Sequence, residues 1–84
     1  MTFIIIWDEK ASKELYKLEP IISRRIAKKV SELKENPYSQ DIIKLKGLEE
    51  FSLRVGDYRI ILTIERDKIL ILKVNHRKSI YERI

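Results

Sequence analysis

The run Glu50–Ile64, EFSLRVGDYRIILTI, constrains this chain more than any other stretch. Apolar and other residues alternate with period 2 on both sides of Gly56-Asp57, the pattern of a β-hairpin with strands Phe51–Val55 and Tyr58–Ile64. Glycine at the first central position of a two-residue loop suits a type II′ turn, whose twist matches the flanking strands. That turn sets Val55 opposite Tyr58, Arg54 opposite Arg59 and Leu53 opposite Ile60. Phe51, Leu53 and Val55 then share a core face with Ile60, Leu62 and Ile64. The other face carries Ser52, Arg54, Arg59, Ile61 and Thr63.

Two arginines directly opposite each other repel, at a cost of up to about 1 kcal/mol. Such a pair is relieved by an anion between them, by solvent, or by a nearby carboxylate such as Glu50 or Asp57. The next run, Ile69–His76, reads as a third strand. A three-residue loop, Arg66-Asp67-Lys68, sets Ile64 opposite Leu70, Leu62 opposite Leu72 and Ile60 opposite Val74. Lys73, Asn75 and Arg77 then join the arginine face. A two-residue loop would place Lys73 in the core, which its charge opposes.

Upstream, Thr2–Trp7 is an apolar, β-branched run that reads as a strand buried on both faces. Asp8 is the N-cap expected for a helix over Glu9–Leu18, with Ala11, Leu15 and Leu18 on one stripe. Pro20 opens a second helix, where its missing N–H costs nothing. Ile22, Ile26, Val30 and Leu33 recur at helical spacing through Glu35, and Asn36-Pro37 stops the helix. Its outer face carries Arg24, Arg25, Lys28 and Lys29, which read as a solvated face. Pro37–Glu49 reads as a loop anchored by Ile43, Leu45 and Leu48. The expected architecture is a single α+β domain over residues 1–84, ordered β-α-α-β-β-β. An antiparallel helix pair packs on one face of a mainly antiparallel four-stranded sheet, over Leu53, Leu62 and Leu72, and a short tail follows. The opposite, basic face stays open.

Charge is uneven along the chain. Residues 1–42 hold eight Lys/Arg and seven Asp/Glu, residues 43–84 ten and six, within a net charge of +5. The excess lies in the sheet half and favours a polyanion partner. There is no cysteine and one histidine, so neither a disulfide nor a thiolate metal site is available. No phosphate-cradling glycine loop, no Ser/His/Asp spacing and no cofactor motif is present. Phe3–Trp7 is too short for a signal sequence and no run approaches a membrane span, so a cytoplasmic protein is expected. What remains is a patch of arginines and lysines near Tyr81 and Tyr58. Such a patch grips phosphates and stacks bases. RNA carries its own nucleophile, the 2′-OH. A surface that holds this hydroxyl in line with its phosphorus gains rate by positioning, and guanidinium groups stabilise the charge that develops.

The order of elements, the segments KLKGL and FSLRVGDYRIILTI, and the ending VNHRKSIY resemble the RelE/ParE family of bacterial and archaeal toxins. The most specific part is R-V-G-D-Y-R followed by H-R-x-x-x-Y, and the resemblance covers nearly the whole chain. It implies a toxin of a type II toxin–antitoxin pair, with a RelB-like antitoxin that blocks the basic face in a higher-order complex such as a heterotetramer. Within the RelE branch it implies ribosome-dependent cleavage of mRNA in the A site, by 2′-OH attack without metal. The resemblance carries over Arg59 as the contact to the scissile phosphate, Arg77 as the arginine ending the last strand and Tyr81 as the base-stacking tyrosine. Arg54 matches a supporting basic position. Lys44, Lys46, Lys73 and Lys78 are the expected contacts to the RNA backbone.

One departure bears on mechanism. Where well-studied RelE toxins carry lysines on the first hairpin strand, this chain has Glu50 and Ser52. His76 falls by strand parity on the core side and is read as structural or exposed. Two alternatives stay open: a ParE-like inhibitor of DNA gyrase that cuts nothing, and an RNA-binding relative without cleavage.

Overall fold

The computed structural model describes residues 2–38 and 41–76. Its elements are β1 (Ile4–Trp7), α1 (Glu9–Tyr16), α2 (Pro20–Glu32), β2 (Ile42–Lys44), β3 (Phe51–Val55), β4 (Tyr58–Glu65) and β5 (Lys68–His76). They build a five-stranded sheet in the order β1-β5-β4-β3-β2. All neighbours are antiparallel except β1 and β5. The α+β class and element order agree with the sequence reading. The expected sheet had four strands; the fifth is β2, which lies in the segment expected to be a loop. It is only three residues long, and Ile43 and Lys44 are exposed, so it carries little periodic signal.

Each helix begins where its capping chemistry dictates. Asp8 is extended and its carboxylate accepts from the Lys10 N–H at 3.1 Å, satisfying one of the orphan donors of α1. Pro20 opens α2 with its φ already helical. Both helices end slightly before their expected limits. Beyond α2, Lys34 N–H bonds Ser31 O and Glu35 N–H bonds Glu32 O, the tighter i to i−3 pattern that closes many helices. α1 lies over β5 and α2 over β3. Between helices and sheet sit Ala11, Ile26, Val30 and Leu33, facing Leu53, Val55, Ile60, Leu62, Ile69, Ile71 and Val74.

The β3–β4 hairpin has the expected register: Val55 pairs with Tyr58, Arg54 with Arg59 and Leu53 with Ile60. Gly56 has φ +58°, the left-handed region that its missing Cβ permits.

The β4–β5 hairpin departs from expectation. Its loop has two residues, Arg66 and Asp67, so Glu65 pairs with Lys68 and Ile64 with Ile69. Arg66 takes the positive φ, +55°, that closes so short a loop. Ile69 and Ile71, not Leu70 and Leu72, are therefore fully buried. The charge argument about Lys73 is met by another device. Leu62 pairs with Ile71 but Ile61 pairs with Lys73, which leaves Leu72 as the extra residue of a β-bulge. The bulge resets parity, so Ile60 still faces Val74 and Lys73 still leaves the core.

β1 is likewise corrected. It is an edge strand, not one buried on both faces. Ile5 and Trp7 pack on the helix side, while Ile4 and Ile6 are 52% and 39% exposed because no described element covers the other side.

β1 ends opposite Ile71, so β5 loses its neighbour on that edge three residues before Val74. Glu14 of α1 takes over: its Oε1 accepts from the Val74 N–H at 3.0 Å. Glu14→Ala would leave this buried donor unpaired, and is expected to cost about 1–3 kcal/mol. Glu14→Gln keeps an acceptor in place and should cost well under half of that. Urea unfolding of the two variants is the check; equal losses would mean that the bond contributes nothing.

Candidate nucleic-acid interface

On the sheet face away from the helices, strand pairing places Arg54, Arg59 and Asn75 in one row and Ser52, Ile61 and Lys73 in the next. The two arginines do not confront each other. Arg59 Nη1 donates to the carbonyl oxygens of Tyr58 at 2.9 Å and Gly56 at 3.2 Å. These bonds hold its guanidinium against the turn, and no carboxylate among the described residues pairs with it. Arg54 is 65% exposed and has its nearest carboxylate in Asp41, with Nη2 to Oδ1 at 3.9 Å. Neither Glu50 nor Asp57 pairs with it. Repulsion is thus relieved by divergence, and both cations stay at the open face.

The remaining predicted residues fall as follows. Lys73 is half-buried on the Arg59 face. Lys44 pairs with Phe51 and so belongs to the helix side of the sheet edge, away from Arg54 and Arg59. Lys46 is exposed in the loop after β2. Arg77, Lys78 and Tyr81 lie outside the described residues. Tyr58 and His76 share the Val55 face, where their rings meet edge-to-face with centroids 5.3 Å apart. Ser52 is only 6% exposed, in register between Ile43 and Ile61, and Glu50 is half-buried at the strand entrance.

Three residues join this region without having been assigned to it from the sequence. Lys29 of α2 pairs with Asp41, Nζ to Oδ2 at 2.6 Å. Arg25, one helical turn earlier, lays its guanidinium over Gly56, where a Cβ would stand 3.6 Å from Nη1. Together with Arg54, Val55 and Gly56 they line a shallow cleft of about 250 Å³ at the β3–β4 turn. The available signal was spacing. Arg25 and Lys29 each precede a core residue, Ile26 and Val30, so they flank the apolar stripe and turn toward the sheet instead of away from it.

The hydrogen bond from Lys29, then its charge, and more weakly the charge of Arg54, hold the Asp41 carboxyl below the ordinary carboxylate range. The same bond and charge hold Lys29 above the ordinary lysine range. A lowered carboxylate pKa contributes stability present above the unfolded value, about 3.9, and lost as pH falls through the folded value. A raised lysine pKa contributes stability present below about 10.4 and lost as pH rises through the folded value. The difference in Tm between the wild type and Asp41→Asn should therefore be flat from about pH 5 to pH 9 and shrink in acid. Both side chains are about one-third exposed, so the effect should be small and weaken in salt. A difference that grows in acid would contradict the pairing.

Residues 5–81 match the family model of the ParE toxin of the type II toxin–antitoxin system parDE. Among curated proteins, the chain is 44% identical over 48 residues to Toxin RelE3 of Methanocaldococcus jannaschii. That match takes in 56% of this chain and 54% of the toxin, so the chain spans about half the length of this curated relative. Among solved structures, the archaeal RelE–RelB complex of Pyrococcus horikoshii matches at TM-score 0.81 and 29% identity, over 92% of this chain and 97% of that one. The RelB–RelE antitoxin–toxin complex of Methanococcus jannaschii matches at 0.75 and 32%, over 94% and 98%. The RelBE2 toxin–antitoxin complex of Mycobacterium tuberculosis matches at 0.82 and 26%, over 92% and 100%. A small α+β domain of this architecture is shared with these solved structures. The chain belongs to the RelE/ParE family of toxins of type II toxin–antitoxin systems.

Proposed function

We propose that this toxin is a ribosome-dependent endoribonuclease that cleaves mRNA in the A site by attack of a 2′-OH on the adjacent phosphorus. The observation that carries this reading is the Arg54–Arg59 pair, two cations on one sheet face, with Arg59 fixed by the turn carbonyls and Arg54 only loosely paired with Asp41 at 3.9 Å. The reaction needs an aligned nucleophile and stabilisation of charge on the phosphoryl oxygens, and it needs no metal ion. Arg59 and Arg77 take the second role, with Arg54 in support. Tyr81 stacks on a base, and Lys46, Lys73 and Lys78 hold the backbone, while Lys44, on the helix side of the sheet edge, lies away from this path. A cognate RelB-like antitoxin covers the face, in line with the RelE–RelB complexes among the similar structures. The setting is the cytoplasm, and the resting complex is of higher order, such as a heterotetramer. Among the described residues no helix is long and apolar enough to cross a membrane.

A second reading, inhibition of DNA gyrase without cleavage, is favoured by the ParE description of the matching family model and by Glu50 and Ser52 at the family's lysine positions. Purified protein in two parallel assays separates them. Primer extension on ribosome-bound mRNA should show new ends in the A site, with gyrase supercoiling unaffected. Intact mRNA with blocked supercoiling would replace the first reading by the second. Salt-sensitive RNA binding with neither activity would leave an RNA-binding relative.

A further inference from the structure

We infer that the cleft between α2 and the β3–β4 turn is a separate phosphate site, which takes the backbone of a single-stranded RNA as it leaves the open sheet face. Its walls are Arg25, Lys29, Asp41 and Arg54, with Val55 and Gly56. Three cations face one carboxylate. Asp41 is already engaged by Lys29 at 2.6 Å and lies 3.9 Å from Arg54. Among the described residues no hydrogen bond or ion pair engages Arg25, whose guanidinium lies over Gly56 and lines the cleft.

Gly56 makes this cleft continuous with the arginine face. Arg59 binds its carbonyl from one side, and Arg25 covers its α-carbon from the other. The basic surface therefore passes around an exposed turn, from the sheet to the helix layer. A strand lying on Arg54 and Arg59 reaches Arg25 simply by following the turn. The absence of a side chain at Gly56 is what lets a guanidinium, and a phosphate above it, come so close to the backbone. An acidic peptide would fit less well, since half-buried anchors are what hold a peptide and this cleft offers only Val55 as apolar lining. Asp41 tempers the site by holding Lys29 in place and competing with the incoming phosphate.

The inference shares with the ribonuclease reading only the identity of the strand as RNA, and its test does not use cleavage. The full chain, labelled with ¹⁵N, is titrated with an eight-nucleotide single-stranded RNA, and affinity is measured by anisotropy at several salt concentrations. The Gly56 amide resonance should move with RNA. Arg25→Ala should weaken binding by about three- to tenfold and reduce the slope of log K against log salt by about 0.7, one phosphate's worth for a single strand. Asp41→Asn should act in the opposite direction and tighten binding, which guards against a loss that reflects only misfolding of the alanine variant. Unchanged affinity and slope in Arg25→Ala would overturn the inference. So would a Gly56 resonance that ignores RNA but moves with an octaglutamate peptide, which would assign the cleft to an acidic protein. A cleft that binds RNA in a protein that cuts nothing would sink the ribonuclease reading alone.

Discussion

Arg59→Ala is expected to slow cleavage of ribosome-bound mRNA by about 10²–10³-fold, the loss seen when one preorganised donor to a developing oxyanion is removed. The guanidinium is held by two carbonyl oxygens of its own turn, at 2.9 and 3.2 Å, through a single nitrogen, Nη1. Its other nitrogens remain for the phosphoryl oxygens, and no reorganisation is needed when charge appears there. Arg59→Lys should recover little, because an ammonium cannot bond the turn and a phosphate in the same planar fork. Stability should hardly change, within about 0.5 kcal/mol, since the carbonyls lie near solvent and the repulsion from Arg54 disappears with the side chain. Single-turnover rates at saturating toxin separate chemistry from binding. An alanine variant that cuts at the wild-type rate under those conditions would remove Arg59 from the reaction.

Ile71→Ala should destabilise the fold by about 2–5 kcal/mol, a large share of the roughly 4–13 kcal/mol that a domain of this length possesses. Ile71 is fully buried, in register with Leu62 on one side and Trp7 on the other, so its removal opens a cavity between two strands and the helix layer. Leu72→Ala, one residue further on, should cost much less, about 1 kcal/mol, because Leu72 is the half-buried extra residue of the bulge. Urea unfolding of the two variants reads the parity of β5 directly. If Leu72→Ala proved the more damaging, the strand would have the regular register of a three-residue loop, with Leu72 in the core.

That pair of residues also marks the limit of what was legible in the sequence. The Phe51–Ile64 hairpin could be read to the exact partner, because one turn type and one period fit the run Val55–Tyr58 and every shift exposes an apolar face. The third strand could not. Lys73 forbids the core, and two devices keep it out: a longer loop or a bulge. The run Lys68–Leu72 is apolar at four of five positions, so parity there has no polar residue to betray it. β1 misled for a similar reason. An unbroken apolar run suggests burial on both sides, but Ile4 and Ile6 lie on an edge strand, on the side that no described element covers. On the functional face, Arg54 and Arg59 were found because register alone brings them together. Arg25 and Lys29 were not, because their partners, Gly56 and Asp41, come from a turn and a loop far along the chain, and helical spacing says which side a cation flanks without saying what it meets.

The parallel pairing of β1 with β5 has a consequence for synthesis. Residues 4–7 hydrogen-bond to residues 68–71, so the first strand made is also the one that waits longest for its neighbour. While the middle of the chain is still inside the exit tunnel, the helices have no sheet to rest on and β5 does not exist. The arginine face, which needs β3, β4 and β5 in register, therefore cannot be assembled on a nascent chain until β5 has emerged, whatever the helices have already done.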